Sequence, residues 1–453
     1  MRPLTLQEVA RAVGGLAIGP DVRVTSVATD SRLVRPGALF VAMPGEHTDG
    51  GSFVPEAFRF GAAAVMARDG TESTGPAVYV RSAGDALLKL AAAERRGATA
   101  TVIGVTGANG KTSTKDLIAA VLSPRLRTHA SRGSFNNEVG LPMTILDAPP
   151  DTEALVCEMG ARREGDVALL CEVARPDVVV VTNVGLAHLE IFGSWEAIVR
   201  SSAEPVDALG EQGVAVLNAD DEVVAGYAVR SRGRVVTFGL AAGADVHAAD
   251  VRLGDEGCAS FTLEMAGQSE RVELAVPGQH MVANALAAAA VAGIRGLSAD
   301  ECAAGLKGAS VSPWRMETFT TAEGVRVIND AYNANPESVA AALKAARWIA
   351  RDAALIAVFG PMAELGPIAD REHARVGELA TRLRVDRVVT VGGQAEAIAV
   401  AAVREGVEPG NVASYGDLEG ALADVRAHAR PGDVVLVKAS RIAGLERLAE
   451  ALR

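Results

Sequence analysis

Aromatic side chains are scarce, at 4% of the 453 residues, so any core has to be built mainly from alanine, valine and leucine. Cysteine is scarcer still. The four (Cys157, Cys171, Cys258, Cys302) form no Cys-x-x-Cys pair, which excludes a disulfide framework of the secreted kind. Basic residues are outnumbered, 44 Lys+Arg against 56 Asp+Glu, for a net charge of −12. That field repels polyanions and argues against a general binder of nucleic acid or of anionic membranes. It leaves room for a local basic pocket around one phosphorylated ligand. No apolar run is long enough to span a bilayer: the most apolar, residues 281–294, is alanine-rich and falls short of the required ~20 residues. Residues 1–15 read as a short amphipathic helix without the apolar segment of a signal peptide, so a cytoplasmic location is expected. What remains, 49% hydrophobic and 22% charged residues, is the composition of a folded soluble enzyme. The length suggests two to four domains.

Three units can be read along the chain. In residues 1–98, short strand-like runs (22–28, 38–42, 63–67, 77–80) alternate with helical ones (6–13, 54–61, 83–93). In residues 99–312, buried strands are expected at 102–106, 155–158, 178–182 and 214–218, each followed by a helical pattern. Such alternation argues a mostly parallel sheet covered on both faces. Residues 246–253, 260–265 and 271–276 read as a small antiparallel insertion, followed by an alanine-rich helix at 282–292. Residues 313–453 repeat the α/β pattern, with strands expected at 325–330, 355–359, 387–391 and 434–437.

The strongest chemical signal runs from Gly104 through Gly107, Ala108, Asn109, Gly110, Lys111, Thr112 and Ser113, between a strand and a helix. Glycines let backbone N–H groups curl around phosphate oxygens, and the helix N-terminus adds positive partial charge. Lys111 would reach the β- and γ-phosphates, and the Thr112 hydroxyl would ligate Mg²⁺. The spacing departs from the strict phosphate-loop pattern, because Val105 stands where its first glycine belongs. Glu158, at a strand's carboxyl end in the same sheet, is placed to hold a metal. His188 also follows a strand end, although on local sequence a hydrogen-bonded structural histidine is the plainer reading. In the third unit Arg315 could neutralise phosphate, and Asp330 could accept hydrogen bonds from a ribose. From these residues alone the chain is an ATP-dependent enzyme with a phosphate loop and three α/β domains.

Taken together, the motifs resemble the Mur ligase family over essentially the whole chain. The run Thr29, Asp30, Ser31, Arg32 to Pro36, Gly37, Leu39, Phe40, with Gly45, Glu46, Asp49 and Gly50, is similar to that family's UDP-sugar-binding domain. The phosphate loop looks like the family's own. Three segments resemble its D-alanyl-D-alanine-adding type: Phe135-Asn136-Asn137-Glu138, Asp330 to Pro336 (with Tyr332, Asn333 and Asn335), and Met362 to Gly366. The resemblance implies a three-domain α/β architecture: a UDP-sugar-binding domain (1–98), a central parallel-sheet ATPase domain (99–312) and a Rossmann-like C-terminal domain (313–453).

It also implies an amide ligase that uses ATP and Mg²⁺ to join D-Ala-D-Ala to UDP-MurNAc-tripeptide through an acyl phosphate, as a soluble monomer. Lys111, Glu158 and His188 would be catalytic. Residues 107–113, Asn284, Arg315 and Asp330 would hold ATP, and Thr112, Glu158 and His188 would hold metal. Ser31, Arg32, Asn136, Asn137, Tyr332, Asn333 and Asn335 would face the other substrates. Some positions depart from the family pattern. Met281 and Pro361 replace Asn and Asp, and Ser202 stands where many members carry a carbamylated lysine that holds a second metal. No lysine occurs between Lys115 and Lys307. Two alternatives remain open at this point: another amide ligase of the same superfamily, or a paralogue that binds nucleotide without ligating.

Overall fold

A computed structural model describes residues 1–45 and 48–453, so Glu46 of the N-terminal motif lies outside the described residues. The N-terminal sheet has five strands in the order Leu16–Ile18, Ala77–Val80, Ala64–Arg68, Ala38–Val41, Ser26–Ala28, all parallel except the first. Helix Leu6–Val13 begins at a capping box of Thr5 and Glu8 and ends at Gly14, whose φ of 70° is the left-handed conformation that favours a residue without a Cβ.

The central sheet has nine strands. From one edge they run Gln268–Pro277, Cys258–Met265, Val246–Leu253, Arg234–Gly239, Val214–Asn218, Val178–Val181, Thr101–Thr106, Ala154–Glu158 and Thr128–Ala130. The last six named are mutually parallel. Residues 246–277 form the expected antiparallel strands, and the structure adds where they attach. They continue the main sheet, because Phe238 and Gly239 pair in parallel with Val246 and His247 before the chain turns back on itself.

Helix Met281–Ile294 lies against the helix that follows the phosphate loop, Lys111–Leu122, and every residue from 285 to 292 is at most 1% exposed. Alanine makes this possible: small side chains let two helices approach closely while still excluding water. Among the described residues no helix is long and apolar enough to cross a membrane.

The C-terminal sheet runs Glu317–Thr320, Arg326–Asn329, Val434–Lys438, Leu355–Phe359, Arg387–Val391, Val412–Tyr415, with only the first strand antiparallel. The carboxyl ends of the second, third and fourth strands therefore lie side by side. That is where ligands sit in open α/β sheets. This unit is also gripped from the far side. The hairpin turn at 254–257 of the central sheet reaches across to it: Glu256 pairs with Arg326 at 2.9 Å, the Gly254 carbonyl accepts from Trp348 Nε1 at 2.9 Å, and Asp255 meets Arg351.

The thiols of Cys157, Cys171 and Cys302 are buried and unpaired, and burial pushes each up to about 12. Thiolate is the reactive form, so at pH 8 these three should resist alkylation in the folded chain. The partly exposed Cys258 should label first. Mass spectrometry after a timed iodoacetamide pulse checks this, with all four expected to label in denaturant.

Candidate functional site

The strand Thr101–Thr106 lies inside the parallel sheet and hands the chain to a tight loop before helix Lys111–Leu122 begins. Gly107 and Gly110 have φ of 133° and 81°. A Cβ on Gly107 would stand 2.1 Å from Thr182 Oγ1, and one on Gly110 2.5 Å from Asn284 Oδ1. Only glycine fits at either place. The loop is also held from the neighbouring strand end: Ala108 N donates to the Asn183 carbonyl (2.9 Å) and Asn109 N to Asn183 Oδ1 (2.8 Å). In return the Asn109 carbonyl accepts from Thr182 Oγ1 (2.6 Å) and Asn183 Nδ2 (3.0 Å). Lys111 Nζ lies across the loop, donating to the carbonyls of Gly107 (2.7 Å) and Ala108 (3.3 Å). Burial lowers the pKa of this lysine; the Glu158 carboxylate opposes the shift and the Arg315 guanidinium adds to it. Arg315 therefore acts on the same small volume from the third unit.

Glu158 ends the strand Ala154–Glu158 and is fully buried. Its carboxylate accepts from Thr112 Oγ1 (2.7 Å), Ser134 Oγ (2.7 Å) and Asn136 Nδ2 (2.8 Å). All three donors are neutral, and no Lys or Arg among the described residues forms an ion pair with it. Lys111 acts on it only at a distance, so the buried carboxylate is incompletely compensated, which is costly. The surrounding hydroxyl, amide and carboxylate oxygens are the hard donors that Mg²⁺ prefers, so the residues present fit that ion.

His188 sits in the loop after the strand Val178–Val181 with a left-handed φ of 59°, and its Nδ1 meets the Glu364 carboxylate of the C-terminal unit. Burial lowers its pKa and Glu364 works against that shift. The ring lines a narrow cleft with Gly107, Lys111, Ser201 and Ser202.

The C-terminal unit closes the other side. Arg315 is flanked by two left-handed residues, Trp314 (φ 60°) and Met316 (φ 54°), and its guanidinium lies 4.1 Å from the centre of the Tyr332 ring. Its Nε is buried with no partner among the described residues. Asp330 accepts from Met316 N (3.0 Å) and pairs with the buried Lys438 Nζ (2.7 Å), which also donates to the Asn333 carbonyl (2.8 Å). Asn335 caps helix Pro336–Ala350 by accepting from Ser338 N (2.9 Å), and its Nδ2 donates to Asn109 Oδ1 of the phosphate loop at 2.8 Å. Asn335→Ala removes both bonds. The lost cap should lower unfolding stability by about 1 kcal/mol, seen as an earlier thermal transition, and the lost contact should raise KM for ATP.

The structure thus gathers Gly107 to Thr112, Glu158, Asn136, His188, Arg315 and Asn335 around one loop, while Asp330 stays within the C-terminal unit, held by Met316 N and Lys438. Other expected site residues are engaged differently. Asn284 is buried beneath the loop, accepting from Thr114 Oγ1 (3.2 Å), and Ser113 is buried in the first turn of the loop helix. Asn137 Oδ1 accepts from Gly140 N (2.9 Å) at the start of helix Gly140–Asp147. Ser31 bonds Glu56 (2.7 Å) and Arg32 forks onto Asp30 (2.6 Å), both within the N-terminal unit. Ser134, Thr182, Asn183 and Lys438 join the site beyond the residues expected there, and so does Glu364, from the Met362 to Gly366 segment, for which the resemblance implies no role. Each occupies a strand end or the turn beyond it, and that position is the signal the sequence offers for them.

Family models match successive parts of the chain: the Mur ligase family catalytic domain at residues 23–107, the Mur ligase middle domain at 105–292 and the Mur ligase glutamate ligase domain at 314–441. The chain is 42% identical to the UDP-N-acetylmuramoyl-tripeptide–D-alanyl-D-alanine ligase of Mycobacterium tuberculosis (strain ATCC 25618 / H37Rv), over 100% of this chain and 98% of that one. Among solved structures it resembles MurF from Acinetobacter baumannii, at 29% identity and a TM-score of 0.89, covering 100% of this chain and 99% of that one. It also resembles the MurF ligase of Thermotoga maritima in complex with ADP, at 31% identity and a TM-score of 0.82, covering 95% and 97%.

Proposed function

The chain belongs to the Mur ligase family, and from that premise we propose that it is the ATP-dependent ligase joining D-Ala-D-Ala to UDP-MurNAc-tripeptide in peptidoglycan precursor synthesis. Full-length similarity to a ligase of that activity carries the reading; the meeting of phosphate loop, Glu158 and third-unit turn in one place supports it.

The γ-phosphoryl group of ATP passes to a carboxylate oxygen of the tripeptide, leaving ADP and an acyl phosphate. The amine of D-Ala-D-Ala then attacks the acyl carbon, and the tetrahedral intermediate expels inorganic phosphate as the amide forms. The first step brings two anions together, so cationic groups are required. Lys111 and the loop N–H groups that Asn183 does not engage, those of Gly107 and of residues 110–112, would hold the phosphates, with Arg315 and Asp330 reaching the nucleotide from the third unit. Thr112 and Glu158, with His188 nearby, would hold Mg²⁺, which supplies charge neutralisation between phosphate and carboxylate. Asn136, Asn137, Tyr332 and Asn333 would face the peptide substrates, and Ser31 and Arg32 the UDP-sugar. With the third unit docked on the loop, water is kept from the acyl phosphate. Free buried thiols are compatible with a reducing compartment.

Phosphate release tests this, measured with ATP and UDP-MurNAc-tripeptide, with and without D-Ala-D-Ala, using both the lysine and the diaminopimelate tripeptide. Release that rises only when all three substrates are present, with UDP-MurNAc-pentapeptide as product, is expected. Release indifferent to D-Ala-D-Ala overturns the reading.

Ser202 lines the same cleft as His188 and Lys111, so the family's carbamylated lysine has no counterpart there. Turnover should be the same with bicarbonate depleted or added. A rate that falls on CO₂ removal and recovers with bicarbonate would show that a lysine from elsewhere in the sequence carries the carbamate.

A further inference from the structure

We infer that Glu364 is a positioning residue for His188: the docked C-terminal unit decides which ring nitrogen carries the proton, and so which one offers its lone pair in the cleft. The inference rests on reading that cleft as the phosphoryl-transfer site.

In addition to the side-chain pair, two approaches to the His188 side and two ties within its own unit fix Glu364 beside the ring. The Glu364 carbonyl accepts from Glu190 N at 3.1 Å. A Cβ on Gly366 would stand 3.1 Å from Glu190 Cβ, so the loop lies flat on the short helix Leu189–Phe192 that begins beside His188. Within its own unit the loop is tied down by Ala363 N to Ser440 Oγ (2.9 Å) and Met362 N to His373 Nε2 (2.9 Å). Both Glu364 and His188 hold left-handed backbones, φ 62° and 59°, a conformation uncommon for residues with side chains. A flexible side chain reaching out by chance would not need this scaffolding on both partners.

The chemistry follows from the acceptor. The carboxylate faces Nδ1 and offers oxygens that accept, so the pairing assigns Nδ1 as the donor. In the neutral ring Nε2 is then the unprotonated nitrogen. Lys111 and Arg162 are the cations whose charge reaches the ring, and both disfavour a further positive charge on it. Carboxylates that orient a histidine in this way tune its lone pair toward a cation. The carboxylate here belongs to a different unit from the histidine. When the C-terminal unit moves away, the acceptor leaves with it and the ring is free to exchange tautomers. The geometry therefore makes the lone pair a property of the closed enzyme.

The test uses the full chain labelled with ¹⁵N-histidine, with His188→Asn to assign the resonance, in cation-free buffer. Wild type should show His188 as the Nδ1–H tautomer. Glu364→Ala should shift it toward Nε2–H, while Glu364→Gln, whose amide oxygen still accepts from Nδ1, should retain the wild-type form. Glu364 is about one-third exposed (32%), so neither variant opens a core. In turnover, the Mg²⁺ concentration giving half-maximal rate should rise about 10–100-fold in Glu364→Ala. It should rise less in Glu364→Gln, with KM for UDP-MurNAc-tripeptide unchanged in both. An Nε2–H ring in the wild type overturns the inference. So does a Glu364→Ala protein whose spectrum and Mg²⁺ dependence match the wild type. If the wild type makes no amide product, the ligase reading fails while the spectra still decide the pairing.

Discussion

Lys111→Ala is expected to cut turnover by about 10²–10³-fold or more, the range seen when one preorganised electrostatic contact is deleted. Two losses combine. The ammonium opposite the transferred phosphoryl group disappears, and so does the brace from Nζ to the Gly107 and Ala108 carbonyls, at 2.7 and 3.3 Å. Lys111→Arg should recover little, since a planar fork cannot take the place of a point charge held in so tight a loop. Affinity for UDP-MurNAc-tripeptide, measured by calorimetry without ATP, should change far less than turnover. Near-wild-type turnover in Lys111→Ala would remove the phosphate-binding assignment.

Comparable damage is expected from Glu158→Ala. Thr112, Ser134 and Asn136 all donate to this carboxylate. Its removal leaves buried donors unsatisfied, at about 1–3 kcal/mol for each one that finds no new partner. It also removes the carboxylate beside Thr112, so turnover should fall by about 10²–10³-fold, and raising Mg²⁺ should not restore it. In wild type, chelation by EDTA should abolish turnover and excess Mg²⁺ should restore it in full. An unchanged Mg²⁺ requirement in Glu158→Ala would place the cation elsewhere.

Much of this site is legible in the amino-acid sequence, for a specific reason. A phosphate loop is contiguous along the chain, and the glycines that make it possible are demanded by local backbone geometry. Glu158 stands out because it ends an unmistakable apolar run. The strands at 355–359 and 387–391 are equally clear, being buried on both faces. Thr128–Ala130 and Val412–Tyr415 leave no such mark, because edge strands are short and half-exposed. The hairpin at 246–265 reads as antiparallel strands, yet the sequence names no neighbour for its outer edge: alternation reveals a strand's faces and says nothing of what its edge pairs with. Side-chain partners are harder still. Lys438 and Asp330 are 108 residues apart, and Glu364 and His188 are 176 apart. No local pattern announces such a pairing. Asn335 shows a further limit: the residue also caps helix Pro336–Ala350, and a cap and a substrate contact leave the same mark in sequence.

The grip of residues 254–257 on the C-terminal unit bears on how that unit can travel. The unit is fastened twice, once by the covalent crossing near Pro313 and once by Glu256, Asp255 and the Gly254 carbonyl on Arg326, Arg351 and Trp348. A body pinned at two separated points keeps one easy freedom, rotation about the line through them. Sliding and tilting both require a pin to break. Each swing then returns Asn335 to Asn109 and Glu364 to His188 along the same arc. Any opening of the nucleotide-facing edge would follow that hinge line, and reassembly would need no search for register.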